Sequence, residues 1–475
     1  MSKTEPAKEA KSKSRFDLPH VYVILFGLSA VAAVMTYFVP AGEYERVPGP
    51  EGRTTIDPDS YTQVEQSPVG LFDFMLVIPK GLIDAGTIVF FTFIIGGLFV
   101  VMRNTGIIEL GVDKLTRRFS SRGILVIPVL MVVFAVIATL IGTQELSLVY
   151  VPVILPLMIA LRFDSVVAAG IALCATTAGF ATGVLNPINT GLGQKIAGIP
   201  VWSGVGLRLA AFVVFVTIAV VHVMRYARKV KKDPQSSLVY EDDLRKRERY
   251  QHAAVTTTAR ATTRQRFASV AALGFFVVLV YGVLVHGWFM VEMSGLFIFM
   301  GIGVGLIAGL RPSEICEGFN EGFRDVLVGA IIVGVARSVA VVLEDGRILD
   351  TIVYGLGQVA GEFPPVLSAL GMFLIQMAMS FLVSSGSGQA LVTMPIMAPL
   401  SDVIEVTRQT AVLAYQLGDG PGNIIFPTSG YFMATIVLAG VSYKKWIRFY
   451  FPLFLMWVLA AAVFLVIAQA SQWTG

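Results

Sequence analysis

The chain has 475 residues, of which 55% are hydrophobic and only 14% charged, with a formal net charge of +4. A soluble globular protein carries about 25% charged residues, so this composition excludes an ordinary soluble domain. Its basic residues fall in loops between long apolar runs, which removes nucleic acid as a partner. Cys174 and Cys316 suggest neither a disulfide framework nor a metal site, and His20, His222, His252 and His286 lack ligand spacing.

Apolar runs of about 20 residues, the length that crosses a bilayer core, recur along the chain. The polar tail MSKTEPAKEAKSKSRFD (1–19 as a segment) leads into an apolar stretch, 21–39. That stretch is longer than a signal core and lacks a small-x-small cleavage pattern, so it is the predicted first membrane helix. An acidic loop at 41–68 precedes an apolar run at 82–102 and the amphipathic stretch IIELGVDKLTRRFSSR. Two apolar limbs, 123–141 and 146–161, flank the polar tip GTQE. A helix beginning near Ser165 breaks at ATGVLNPINTG, and another runs over 203–226.

Residues 227–266 form the only long charged loop. It is basic, hence cytoplasmic by the positive-inside rule, and reads as a solvated linker. Helices follow at 267–287 and 292–310, and then the pattern starts again: an apolar run at 322–343, an amphipathic piece, and limbs at 364–383 and 390–401 around SSGSGQ. A broken helix spans 408–440 and a last helix 446–469.

The recurrence is an internal repeat at an offset of about 240 residues. GLIDAGTIVFF at 81 echoes GFRDVLVGAII at 322, VPVILPL at 151 echoes MPIMAPL at 394, NPINTG at 186 echoes FPTSG at 426, and IAGIPVW at 196 echoes LAGVSYK at 438. Repeats of this kind are common in secondary transporters. Charge orients the halves. The first limb pair opens beside Arg117, Arg118, Arg122 and Arg162, the second beside Glu344, Asp345, Glu362, Asp402 and Glu405. The expected architecture is an all-α polytopic membrane protein with about nine transmembrane helices and two re-entrant hairpins in two inverted repeats. These occupy 20–226 and 291–475, with a linking helix at 267–290 and the N-terminus on the cytoplasmic side of the inner membrane.

Glycine and proline interrupt each half twice, freeing backbone groups that are costly at membrane depth unless they bind something. Half-helix N-termini favour anions and unwound carbonyls favour cations. The expected substrate or ion chamber is built from Thr143, Gln144, Glu145, Asn186, Asn189, Thr190, Ser384, Ser385, Ser387, Gln389, Asp419, Asn423, Thr428 and Ser429. Gly418, Gly420 and Gly422 are expected to let the backbone approach a ligand, and a sodium site is expected near Gly142, Asn186, Gly386 and Asn423. For Asn186, Asn189, Thr190, Asn423, Thr428 and Ser429, helix capping is an equal reading. Asp419 and Glu145 carry the functional reading, because an intramembrane carboxylate marks function by default. SSGSGQA lacks the lysine and strand context of a nucleotide loop.

GTQELSLVYVPVILPL, NPINTG, SSGSGQALVTMPIMAPLSD and YQLGDGPGNIIFPTSG resemble the YfcC-type membrane proteins, grouped with C4-dicarboxylate carriers and arginine/ornithine-type basic amino acid antiporters. The resemblance spans nearly the whole chain and implies a homodimer and elevator-type transport of a small molecule through the lipid bilayer. Divalent-anion symporters of the wider superfamily carry Ser-Asn-Thr at each tip. Here the tips read Gly142-Thr143-Gln144 and Ser385-Gly386-Ser387, a departure from a dicarboxylate-plus-sodium site. Two carboxylates without a fixed cation favour a basic amino acid as substrate. A carboxylate carrier coupled to sodium or protons is the alternative, and a channel a remote one. No cofactor beyond a coupling Na+ or H+ is expected, and no enzyme activity.

Overall fold

The computed structural model describes residues 21–48, 54–108, 110–111, 123–244, 246–248, 262–286, 288–360 and 364–475. The tail before Val21, Arg117, Arg118, Arg122, Glu362 and most of the charged loop's centre lie outside these residues.

The helices are α1 (Val21–Met35), α2 (Leu71–Asp84), α3 (Gly86–Asn104), α4 (Val126–Ile141), α5 (Leu146–Ala160), α6 (Ser165–Thr182), α7 (Leu192–Ile196), α8 (Val205–Lys232) and α9 (Thr263–His286). They continue as α10 (Met290–Ala308), α11 (Pro312–Asp345), α12 (Leu349–Ala360), α13 (Pro365–Leu382), α14 (Gly386–Val403), α15 (Arg408–Gly422), α16 (Gly430–Leu438) and α17 (Tyr443–Ala470). Among the described residues, eight helices are long and apolar enough to cross a membrane, and α1 and α5 are shorter apolar helices.

Two features depart from the expectation. The run 82–102 is preceded by a separate helix, α2. The loop 41–68 is not irregular: β1 (Gly42–Glu43) pairs antiparallel with β4 (Thr62–Gln63), and β2 (Arg46–Pro48) with β3 (Thr54–Ile56). This cap is fixed to the second half. Arg46 pairs with Asp350 at 2.9 Å, Thr55 donates to the Leu391 carbonyl at 3.0 Å, and Tyr61 stacks on Tyr354.

The helices sort into two packing groups. In the first, α11 packs along α2 and α3, with α1 and α10 beside them. Glycine makes this possible: a Cβ on Gly322 would collide with the backbone of Gly96, and one on Gly81 would lie 2.8 Å from the Ser338 nitrogen. Small residues that let backbones touch are the usual means of helix association in lipid. Ser29 and Ser338 share a 2.9 Å hydrogen bond across α1 and α11, and Arg103 pairs with Glu321 at 2.7 Å.

In the second group, the helix–tip–helix pairs α4–α5 and α13–α14 clasp α6 and α15 respectively. All 18 residues of α6 are buried, as is α15 from Gln409 onward. A helix apolar on every side belongs inside, and the alanines and glycines of α6 let α4 close on it, with Gly179 against the Ala135 carbonyl. The two most enclosed helices are thus the two that carry the breaks.

Part of the charged loop is docked, at Ser237, Asp243 and Lys246, which corrects the reading of 227–266 as a solvated linker for that stretch; residues 231–235 and 262–264 are exposed. Asp243 is fully buried and accepts from the Ser165 N–H and hydroxyl at 2.7 and 2.5 Å. Lys246 bridges Asp243, the Ser165 hydroxyl and the Ala439 carbonyl at 2.8, 2.7 and 2.8 Å. Together with the Asp164 cap on the Val167 N–H, this satisfies orphan groups at the start of α6 and the end of α16.

Candidate functional site

The first break is built from small polar caps. Gly142 ends α4 in the left-handed conformation (φ 80°), and a Cβ there would collide with the Asn186 side chain. Thr143 and Gln144 are buried, and Glu145 is half-buried and accepts from the Thr143 hydroxyl. Asn186 caps a five-residue π turn, Pro187–Gly191, its Oδ1 accepting from the Asn189 N–H at 2.9 Å. Asn186 Nδ2, Asn189 Nδ2 and Thr190 Oγ1 are buried without a hydrogen-bond partner. Buried polar groups are rarely left unpaired.

The second break is shorter than expected. α15 continues through Gly422, so Asp419, Gly420 and Pro421 are helical and the irregular stretch is Asn423 to Ser429. Likewise α14 begins at Gly386, leaving only 383–385 irregular. The glycines of GDGPG face protein, which corrects their assignment to ligand approach. A Cβ on Gly418 would lie 2.8 Å from the Phe373 carbonyl, one on Gly420 would collide with Ala181, and one on Gly422 with the Ser380 hydroxyl. They let α15 press against α13 and α6. Nor are the freed carbonyls all open to a cation. Tyr450 donates to Pro421 at 3.0 Å, Trp446 to Ile424 at 2.8 Å and Tyr443 to Ile425 at 2.8 Å, so α17 satisfies three of them.

The breaks meet at three places. Gly386 lies against Asn189 and Asp419: a Cβ there would strike the Asn189 amide and lie 2.7 Å from Asp419 Oδ2. Tyr431 donates to Gln144 Oε1 at 2.6 Å, and Gln144 Nε2 reaches the Gly420 carbonyl at 3.4 Å. Tyr415 donates to the Gly386 carbonyl at 2.7 Å. Asp419 is fully buried. Its Oδ1 accepts from Asn423 Nδ2 at 2.8 Å, while its Oδ2 has no partner, and neither do Asn423 Oδ1 and Thr428 Oγ1. Ser429 is buried at the start of α16.

The tips differ in access. Gly142, Thr143 and Gln144 are buried, whereas Ser385 is exposed and Ser384, Gly386 and Ser387 are half-buried. Ser385 caps the Gly388 N–H. Gln389 turns inside its hairpin and donates to Gln376 at 2.8 and 2.7 Å. Of the four residues expected around sodium, Gly142 touches Asn186, and Gly386 and Asn423 both touch Asp419. The oxygens there that lack a donor are Asp419 Oδ2 and Asn423 Oδ1, hard ligands of the type that suits a small cation.

Several participants went unread in the sequence. Tyr431, Thr177, Tyr415 and Gln416 are polar side chains on buried helices; Gln144 Nε2 reaches the Thr177 hydroxyl at 3.5 Å, and Gln416 donates to the Phe180 carbonyl at 2.6 Å. Each is a polar residue on a helix between the polar breaks, which is the signal that could have found it. Arg208 is the other. It is fully buried near the start of α8, 5.6 Å over the Trp473 ring and 3.5 Å from Gln409 Oε1, with Nε and Nη1 unpartnered.

Two broken helices, each clasped by a helix–tip–helix pair and meeting over unpartnered polar atoms in an apolar bundle, are the architecture of a secondary carrier. The chain belongs to the C4-dicarboxylate anaerobic carrier family: residues 18–470 match the family described as "DcuC: C4-dicarboxylate anaerobic carrier". It is 32% identical to the Escherichia coli K12 protein described as "Putative basic amino acid antiporter YfcC", over 93% of this chain and 94% of that one. It is 27% identical to an uncharacterized Haemophilus influenzae protein over 96% of this chain and 98% of that one. The solved Alcanivorax borkumensis YdaH transporter is similar at 13% identity and a TM-score of 0.42, over 96% of this chain and 99% of that one.

Proposed function

We propose that the chain exchanges or takes up a basic amino acid of the arginine or ornithine type, through a chamber formed where the two breaks meet. The carrying observation is Asp419, fully buried with Oδ2 unpartnered beside Gly386 and Asn189. An ionised carboxylate at membrane depth costs about 3 kcal/mol or more, and a substrate ammonium or guanidinium group, or a coupling cation, offsets that. Half-buried Glu145 adds a second negative charge. The Asn186 and Asn189 amides supply free N–H donors for the substrate's α-carboxylate.

In this reading α4–α8 and α13–α17 move as a unit against a scaffold of α1–α3 and α9–α11, which also carries the dimer contact. The moving unit opens alternately to the two faces of the inner membrane, with the N-terminus in the cytoplasm. The repeats at 20–226 and 291–475, each with scaffold and moving helices, are the inverted halves of the protein, joined through the helix at 267–290.

One observation favours carboxylate transport instead. Arg208 is buried with two unpartnered N–H groups, a donor pair suited to a carboxylate. Counterflow in proteoliposomes separates the readings. Internal arginine or ornithine is expected to drive saturable uptake of labelled arginine, and Asp419→Asn to abolish it with the fold intact. Uptake of succinate or fumarate that ignores basic amino acids, survives Asp419→Asn and fails in Arg208→Gln would install the carboxylate reading.

A further inference from the structure

Away from the breaks, where α8 and α17 reach the end of the bundle that carries Lys231, Lys232, Lys444 and Lys445, they flank an open cavity of about 530 Å³. His222, Arg225, Tyr226 and Lys229 line it from α8, spaced so that they share one helix face. Arg448, Phe449 and Pro452 line it from α17, and the chain from Gln235 to Leu238 closes the third side.

Its walls are fixed. His222 Nε2 meets the Phe449 carbonyl at 2.9 Å, Tyr226 donates to Asp164 at 2.7 Å, and Ser237 donates to the same carboxylate at 2.6 Å. The acidic groups nearby are already engaged. Asp164 also accepts from the Val167 N–H, and Asp233 caps the Gln235 N–H. Arg225, Lys229 and Arg448 are exposed to the cavity side and form no ion pair with a carboxylate of the described residues. The cavity is therefore lined by three basic side chains, none of them paired with a carboxylate of the described residues.

Its surroundings select the source of the negative charge. Immediately deeper along the same two helices, Val214 and Val221 on α8 and Phe451 and Leu455 on α17 are exposed. A soluble anion has no use for that apolar surface, whereas an acyl chain does. Basic pockets between membrane helices at an interface are suited to anionic headgroups.

We propose that this cavity binds the phosphate of an anionic phospholipid, with the acyl chains lying along α8 and α17. The probe is phosphatidylglycerol offered to the purified full-length protein in phosphatidylcholine nanodiscs, with retained lipid read by native mass spectrometry and stability by thermal unfolding. Wild-type protein is expected to retain phosphatidylglycerol selectively and to melt higher as its fraction rises. Arg225→Gln with Arg448→Gln is expected to weaken retention about tenfold or more, since each basic group near an anionic surface contributes measurably. Arg225→Lys with Arg448→Lys keeps the charge and is expected to keep binding. Arg228→Gln with Lys232→Gln, exposed on α8 outside the cavity, is expected to change nothing. No selective retention by the wild type overturns the proposal, whatever the variants do. Equal losses in both glutamine pairs, which would mean diffuse attraction, also overturn it. So does an equal rise in melting temperature with inorganic phosphate in purely neutral lipid, which would make the ligand a soluble anion.

Discussion

The Tyr431 hydroxyl and the Gln144 amide oxygen, 287 residues apart in sequence, are 2.6 Å apart in space and buried. Tyr431 belongs to the first turn of α16 and Gln144 to the first tip, so one hydrogen bond joins the second broken helix to the hairpin of the other half. Removing the hydroxyl leaves Gln144 Oε1 buried and unpaired, a loss of about 1–3 kcal/mol. Tyr431→Phe is expected to destabilise by that amount, and the pair Tyr431→Phe with Gln144→Met to lose less than the sum of the singles. Thermal unfolding of the four proteins in detergent measures the coupling; strictly additive losses would deny that the bond operates.

Asp419 and Glu145 are both acidic groups of the proposed chamber, but only Asp419 is fully enclosed. Asp419→Asn is expected to reduce arginine counterflow at least a hundredfold. Glu145→Gln, at a half-buried position, is expected mainly to raise KM. Both are measured in the same liposome preparation. A normal rate for Asp419→Asn would make the carboxylate a partner of Asn423 and no more.

The glycines of GDGPG make a packing prediction. Gly420→Ala places a methyl group into Ala181 across the α15–α6 contact. Overpacking of this kind costs about 1–3 kcal/mol, so the melting temperature is expected to fall. Gly27→Ala, where nothing lies within 4 Å, is expected to be neutral or stabilising.

Sidedness can be read with impermeant thiol reagents. In a Cys316→Ser background, with Cys174 buried, Gln235→Cys and Asp59→Cys are expected to label from opposite faces of right-side-out and inverted vesicles. Labelling of both from one face would contradict the inverted arrangement.

Relative motion is testable with disulfides. A Cβ on Gly329 of α11 would lie 3.3 Å from the Val437 Cβ of α16, close to the spacing of about 3.8 Å in a disulfide. Gly329→Cys with Val437→Cys is expected to stop transport when oxidised and to restore it when reduced. A short thiol cross-linker between Arg103→Cys and Glu321→Cys, inside the proposed scaffold, is expected to leave transport largely intact. Full activity of the oxidised first pair would exclude sliding of α16 past α11.

What could be read from the sequence followed physical contrast. Apolar runs of spanning length, the polar tips and the proline–asparagine breaks stand out against an apolar background, and they map onto α4–α6, α13–α16 and the π turn at Pro187–Gly191. GDGPG misled because glycine and proline signal a break only when nothing packs on them. Here Gly418 and Gly420 are pressed between helices, and Tyr450 takes the Pro421 carbonyl. The strands at 42–63 went unread because each is two or three residues long, and α2 because it abuts α3. Tyr431, Gln416 and Arg208 were missed for the opposite reason: a single polar side chain barely changes the hydropathy of a helix, yet in lipid it decides what that helix must touch.

The bond from Trp446 to the Ile424 carbonyl has an optical consequence. The chain contains five tryptophans, and this one is fully buried, stacked on Tyr450 at 5.6 Å, with its indole N–H donating into the irregular stretch between α15 and α16. Indole emission responds to the loss of such a bond and to entry of water. Any rearrangement of residues 423–429 during a transport cycle therefore changes the colour and yield of a fluorophore the protein already contains. With Trp202, Trp288, Trp457 and Trp473 replaced by phenylalanine, the remaining emission would follow the second break in real time, without a label.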